Sequence, residues 1–119
     1  MKNNELDFAW RPEKLHEECG VFAICDVDGH DCANVTYYAL YALQHRGQQS
    51  CGMALNENGN IVYTKDLGLV SDVFNAETLA HLKGTMAVGH VNYSKGSSSF
   101  RESAQPIVRK YVKGTLTIA

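Results

Sequence analysis

Apolar and polar positions along the chain predict short strands joined by turns, with helices set between them. Residues 1–18 show no period of 3.6 or of 2 and read as a leader with weak structure. The run from Gly20 to Val27 is apolar and rich in strand-favouring side chains, which predicts a buried strand directly after Cys19. Asp28 to Asp31 reads as a turn. A helix is expected from Val35 to Gln44, capped by Asn34 or Thr36 and ended by Gly47. Its Tyr37, Tyr38, Leu40, Tyr41 and Leu43 spread over more than one face, so it should pack against a sheet and against further structure.

Residues 51–56 and 60–65 read as two strands, and Asn58-Gly59 between them is a strong hairpin signal. Residues 67–74 read as a loop, and Glu77 to Lys83 as a short helix with Asn75 as its cap. Thr85 to Tyr93 predicts a strand with Met86, Val88, His90 and Asn92 on one face. Ser94 to Ser103 is a serine-rich loop by composition. Segments 105–108 and 111–112 are strand-like, Lys113-Gly114 makes a turn, and another strand starts at Gly114. Leu116 and Ile118 alternate with threonines up to Ala119, so the sheet is expected to continue beyond that residue and to expose an edge that favours homo-oligomers. Strands joined by hairpins, with helices inserted, suit an α+β domain with antiparallel sheets and outer helices.

Composition narrows the function classes. The chain has 119 residues, a net charge of −2 and 45% hydrophobic residues, enough for one small core. It has no basic run to serve nucleic acid or an anionic membrane. No apolar stretch approaches the roughly 20 residues that span a bilayer. The N-terminus lacks the pattern of a secretory signal, so a cytoplasmic location is expected. None of the four cysteines forms a C-x-x-C pair. Cys25, Cys32 and Cys51 read as small buried hydrophobes. No phosphate-binding glycine loop or H-E-x-x-H metal motif is present.

Three segments could carry chemistry. A cut between Glu18 and Cys19 would give one residue both a thiol nucleophile and an α-amine base, whose pKa of about 8 suits neutral pH. The alternative is an inert strand thiol. The segment Gln44 to Gly52 contains Arg46, which could hold a carboxylate or simply offset a helix dipole. The segment Gly89 to Gly96 is a strand that ends in a polar loop, and its His90 reads more readily as a core histidine than as a base.

Cys-Gly-Val-Phe-Ala-Ile at 19–24, Tyr37 to Gly52 with its Gln-His-Arg-Gly-Gln, Gly-Leu-Val-Ser-Asp-Val-Phe at 68–74, Gly-His-Val-Asn-Tyr-Ser at 89–94 and Ala-Gln-Pro at 104–106 together resemble the class II glutamine amidotransferase domain. The segments at 44–48 and 68–74 resemble most the amidophosphoribosyltransferases of purine synthesis. The resemblance implies an N-terminal-nucleophile fold, an αββα sandwich with antiparallel sheets, of which residues 19–119 would be the first part. It implies that residues 1–18 are a propeptide, that Cys19 is the catalytic nucleophile, and that Arg46, Asn92, Tyr93, Ser94 and Lys95 lie where the family binds glutamine. It implies no cofactor for these residues. Magnesium and, in some members, an iron–sulfur cluster would serve a further C-terminal part, as would phosphoribosyl pyrophosphate. The family pattern has arginine where this chain has Asn92 and threonine where it has Lys95, and its oxyanion-hole segment would follow Ala119. A glutamine amidotransferase-like domain that binds without catalysing is the competing reading.

Overall fold

The computed structural model describes residues 19–44, 49–93 and 104–119. Its elements, in chain order, are β1 (Cys19–Cys25), α1 (Ala33–Leu43), β2 (Ser50–Glu57), β3 (Asn60–Leu67), α2 (Val70–Val73), α3 (Ala76–Ala80), β4 (Met86–Asn92), β5 (Ile107–Tyr111) and β6 (Gly114–Ile118). β1, β4, β2 and β3 form an antiparallel sheet in that order, and β5 and β6 form a separate hairpin. The α+β expectation with antiparallel sheets is met.

Register explains the core. One face carries Gly20, Phe22 and Ile24 of β1, Ala87, Gly89 and Val91 of β4, and Cys51, Met53 and Leu55 of β2. This face meets α1 and the α2 turn, and Leu40, Met53, Leu55, Val70, Phe74 and Val91 are fully or almost fully buried there. β2 lies second from the edge, and its residues 50–55 are all buried, as expected for a strand covered on both faces. The Asn58-Gly59 turn joins β2 to β3, both residues at positive φ, as its sequence predicts.

Several expectations change. β1 is an edge strand whose residues alternate between exposed and half-buried, so Cys19 opens a half-covered strand rather than a buried one. Cys32 and Cys51 are buried, but Cys25 is exposed because it stands on the face away from α1. α1 begins at Ala33 and is capped by neither Asn34 nor Thr36. Thr36 Oγ1 instead donates back to the Cys32 carbonyl at 2.7 Å. Asp31 Oδ1 accepts from Ala33 N at 3.4 Å and Gly84 N at 2.9 Å, which ties the helix start to the approach to β4. Val35, Tyr38 and Tyr41 of α1 are exposed, so among the described residues only one of its faces is covered. The loop at 67–74 contains a helical turn, α2, which brings Val70 and Val73 into the core. Residues 107–111 form one strand, not two short pieces. The Gly47 stop and the loop over 94–103 fall outside the described residues.

On the other face of the sheet, Gly52 makes room for a crossing segment. A Cβ there would stand 2.3 Å from the Gln105 carbonyl oxygen and 3.0 Å from Pro106 Cδ. The Gln105–Pro106 peptide is cis, and Lys65 Nζ donates to the Pro106 carbonyl at 3.2 Å. The β5–β6 hairpin follows this segment, and Thr115 and Thr117 help to line a cavity of about 480 Å³ against Ala23, Cys25, Ala54 and Met86.

Candidate active site

The candidate site lies at the end of the sheet where β1 starts and β4 stops. Antiparallel pairing sets Cys19 opposite Asn92, and Asn92 opposite Ser50 on its other side. Directly opposed residues share a face, so the thiol, the amide and the hydroxyl form one polar row. Cys19 Sγ donates to Asn92 Oδ1 at 3.8 Å, a long sulfur contact, and Cys19 is exposed. The next row inward is Val21, His90 and Gly52. Val21 is 54% exposed, so the β1 side of this surface stands open beside the thiol.

The frame of the site is fixed by backbone contacts. Gln49 N donates to the Asn92 carbonyl at 2.8 Å, and the Gln49 carbonyl accepts from Gly68 N at 2.8 Å. The Tyr93 hydroxyl donates to the Leu43 carbonyl at the end of α1. Gln44 Oε1 accepts from Val70 N at 3.1 Å. The Gln-His-Arg-Gly-Gln segment thus starts at a held residue, Gln44, and is followed directly by another, Gln49. Arg46 itself, with Ser94 and Lys95, lies outside the described residues. Of the six site residues expected from the sequence, the structure describes Cys19, Asn92 and Tyr93. It sets the first two opposite each other, with Tyr93 directly after Asn92.

Two residues on this face, Ser50 and His90, are not among the site residues expected from the sequence. Ser50 is almost fully buried, and only its register with Asn92 assigns it to the row. His90 is 3% exposed, and its Nδ1 has no hydrogen-bond partner among the described residues. Burial holds the His90 pKa below its ordinary value, so the ring is neutral near pH 7. The alternation of β4 could have placed His90 on the face of Asn92, but no sequence signal could have revealed its unpaired nitrogen.

Metal chemistry finds little support at this row. The one group of possible ligands that converges among the described residues is Asp26, Asp28 and His30, whose ligand atoms lie within 4.8 Å of one another. His30 Nδ1 lies 3.1 Å from Asp26 Oδ2. The Asp28 backbone N–H and the nearby His30 hold the Asp26 carboxyl below its usual range. Cys25, Cys32 and Cys51 join no convergent group among the described residues, so they do not fit an iron–sulfur cluster. No described helix is long and apolar enough to cross a membrane.

No protein-family model matches the chain. Individual proteins do. The amidophosphoribosyltransferase of Mycobacterium bovis is 48% identical over 99 residues, which is 83% of this chain and 19% of that protein. The amidophosphoribosyltransferase of Synechococcus elongatus is 45% identical over 109 residues, 92% of this chain and 22% of that protein. A solved structure described as the allosteric regulatory enzyme of purine biosynthesis matches with a TM-score of 0.72 and 34% identity, covering 82% of this chain and 21% of its own. The Bacillus subtilis glutamine phosphoribosylpyrophosphate amidotransferase, in complex with ADP and GMP, matches with a TM-score of 0.69 and 35% identity over 82% of this chain and 20% of its own. The chain spans about a fifth of the length of these relatives. Over the residues matched, in sequence and in fold, the chain is homologous to the amidophosphoribosyltransferases and shares their N-terminal-nucleophile fold.

Proposed function

We propose that this chain carries the front of a glutaminase site, the half of an amidophosphoribosyltransferase that releases ammonia from glutamine. The observation that carries the reading is the Cys19–Asn92 pair at the open end of the sheet. Residues 1–18 act as a propeptide, and its removal gives Cys19 a free α-amine. That amine takes the thiol proton as the sulfur attacks the carboxamide carbon. The C–N bond breaks, the proton leaves with ammonia, and water opens the resulting thioester to give glutamate. Arg46, Asn92, Tyr93, Ser94 and Lys95 surround the α-carboxylate and α-ammonium end of glutamine.

The M. bovis and S. elongatus relatives are named amidophosphoribosyltransferases, and the B. subtilis structure is named for glutamine and phosphoribosyl pyrophosphate. By extension, the ammonia goes to phosphoribosyl pyrophosphate in a further domain. That domain would also hold any magnesium or iron–sulfur cluster. A cytoplasmic homo-oligomer is the setting that suits this chemistry.

The test is the intact mass of the purified chain before and after a diazo-ketone analogue of glutamine. Loss of residues 1–18 and a single adduct on Cys19 support the reading. An uncleaved chain that takes no adduct overturns it for this protein and leaves a binding domain without catalysis.

A further inference from the structure

Hydrogen bonds close a ring at the end of the sheet that carries Cys19. Gln49 N donates to the Asn92 carbonyl, and the Gln49 carbonyl accepts from Gly68 N, each at 2.8 Å. Two residues after Gly68, Val70 N donates to Gln44 Oε1 at 3.1 Å. The Leu43 carbonyl, directly before Gln44, accepts from the Tyr93 hydroxyl. Tyr93 follows Asn92 in the chain, so the ring returns to its start. Gln44 and Tyr93 contribute the side chains in these bonds, and the other groups are backbone.

Local sequence explains why Gln44 is needed. α2 opens at Val70, which is fully buried, and Leu69 before it has no side chain that can cap. The first N–H groups of a helix have no partner within it, and a buried one must find a partner elsewhere. Gln44 Oε1 supplies it from 26 residues away. Gly68 takes a φ of +121°, open to glycine, and the N–H groups at 68 and 70 of this turn reach Gln49 and Gln44. β4 ends at Asn92, where the ladder bonds run out, so the ring is what fixes that end of the strand.

We propose that Gln44 is a positioning residue for glutamine binding, because its carboxamide oxygen closes the ring that holds Asn92 opposite Cys19. The assignment rests on the glutaminase reading above. Gln44 acts at a distance, through the turn from Gly68 to Val70 and through Gln49, on the residue in register with the thiol. Coupling of this kind is reciprocal: if a closed ring favours glutamine, bound glutamine favours the closed ring.

The experiment compares Gln44→Met, which keeps the length and loses the acceptor, with Gln44→Glu, which keeps an oxygen for Val70 N. Cys19 is alkylated with iodoacetamide at rising glutamine and read by peptide mass. Gln44→Met should raise the half-protecting glutamine concentration by about fivefold or more, and Gln44→Glu should stay close to the wild type. With the diazo-ketone analogue, the half-saturating concentration should rise in Gln44→Met while the labelling rate at saturation holds. A side chain that only supports the fold would leave that concentration unmoved. Equal half-protecting concentrations in wild type and Gln44→Met, or an equal rise in both variants, overturn the assignment and leave the glutaminase reading intact. A wild-type chain that glutamine does not protect, and that the analogue does not label, removes both. Should Gln44→Met fail to fold, hydrogen exchange of the wild type decides. Saturating glutamine should slow exchange at the Gly68 and Val70 amides more than at Thr78, whose N–H bonds to Asn75 outside the ring. Equal slowing, or none, overturns the proposal.

Discussion

Asn92 Oδ1 accepts the thiol hydrogen of Cys19 across the β1–β4 ladder at 3.8 Å, so two of the residues that the sequence singled out stand opposite each other. In the related pattern an arginine stands at this position. An amide in its place can receive a hydrogen bond from the thiol but offers no charge to a carboxylate.

Asn92→Arg should therefore strengthen glutamine binding. A two-pronged, charge-assisted grip is worth roughly 2–5 kcal/mol when buried. The glutamine concentration that half-protects Cys19 from iodoacetamide should fall by about tenfold or more. An unchanged concentration would show that Arg46, Lys95 or another cation already supplies the charge.

Acid should weaken the fold through His90. Burial sets its pKa below the ordinary 6.5, so the unfolded chain takes up the proton first. Stability from this group is complete above about 6.5 and declines as pH falls from there through the folded-state value. Urea midpoints measured from pH 7.5 down to 5 should fall over that window. The decline should be shallower in His90→Phe; equal slopes in the two proteins would contradict the assignment of this pH dependence to His90.

Leu40 is the bolt between α1 and the sheet. It is fully buried, and it fills the space directly above Gly89, where a Cβ would lie 2.9 Å from Leu40 Cδ2. Leu40→Ala should cost about 2–5 kcal/mol. Chemical denaturation reads this as a lower midpoint at unchanged slope.

Gly52→Ala tests the crossing segment. The added methyl would meet the Gln105 carbonyl oxygen at 2.3 Å and Lys65 Cβ at 2.6 Å. Backbone must move to admit it, at a cost of about 1–3 kcal/mol. The thermal midpoint should drop, and the Lys65–Pro106 contact should be lost. A midpoint equal to wild type would mean that this segment does not rest on β2 in solution.

The sequence made the local elements legible wherever the signal was local. Asn58-Gly59 marked its hairpin, and Asn75 caps α3 by accepting from Thr78 N at 2.8 Å. The Cys19, Gln-His-Arg-Gly-Gln and Gly-His-Val segments pointed to the amidophosphoribosyltransferases, which the comparisons of sequence and fold also find. What stayed hidden depends on register and layering. Cys25 looks like a core thiol in a run of apolar residues, yet its place on an edge strand exposes it. Val70 and Val73 look like loop residues, because four residues are too few to show a helical period. Asp31 ties the start of α1 to Gly84, 53 residues away, and no local rule anticipates that bond. Ser50 joins the candidate row only because β4 lies between β1 and β2.

Among the described residues, the pairing of β1 with β4 begins at Cys19 itself. Every described rung of that ladder therefore lies after the peptide bond between Glu18 and Cys19. Cleavage there would turn one amide nitrogen into an amine and leave the rungs from Gly20 to Cys25 untouched. The six described rungs beyond Cys19 do not depend on that bond, so the sheet that presents the thiol needs no rebuilding if the bond is cut.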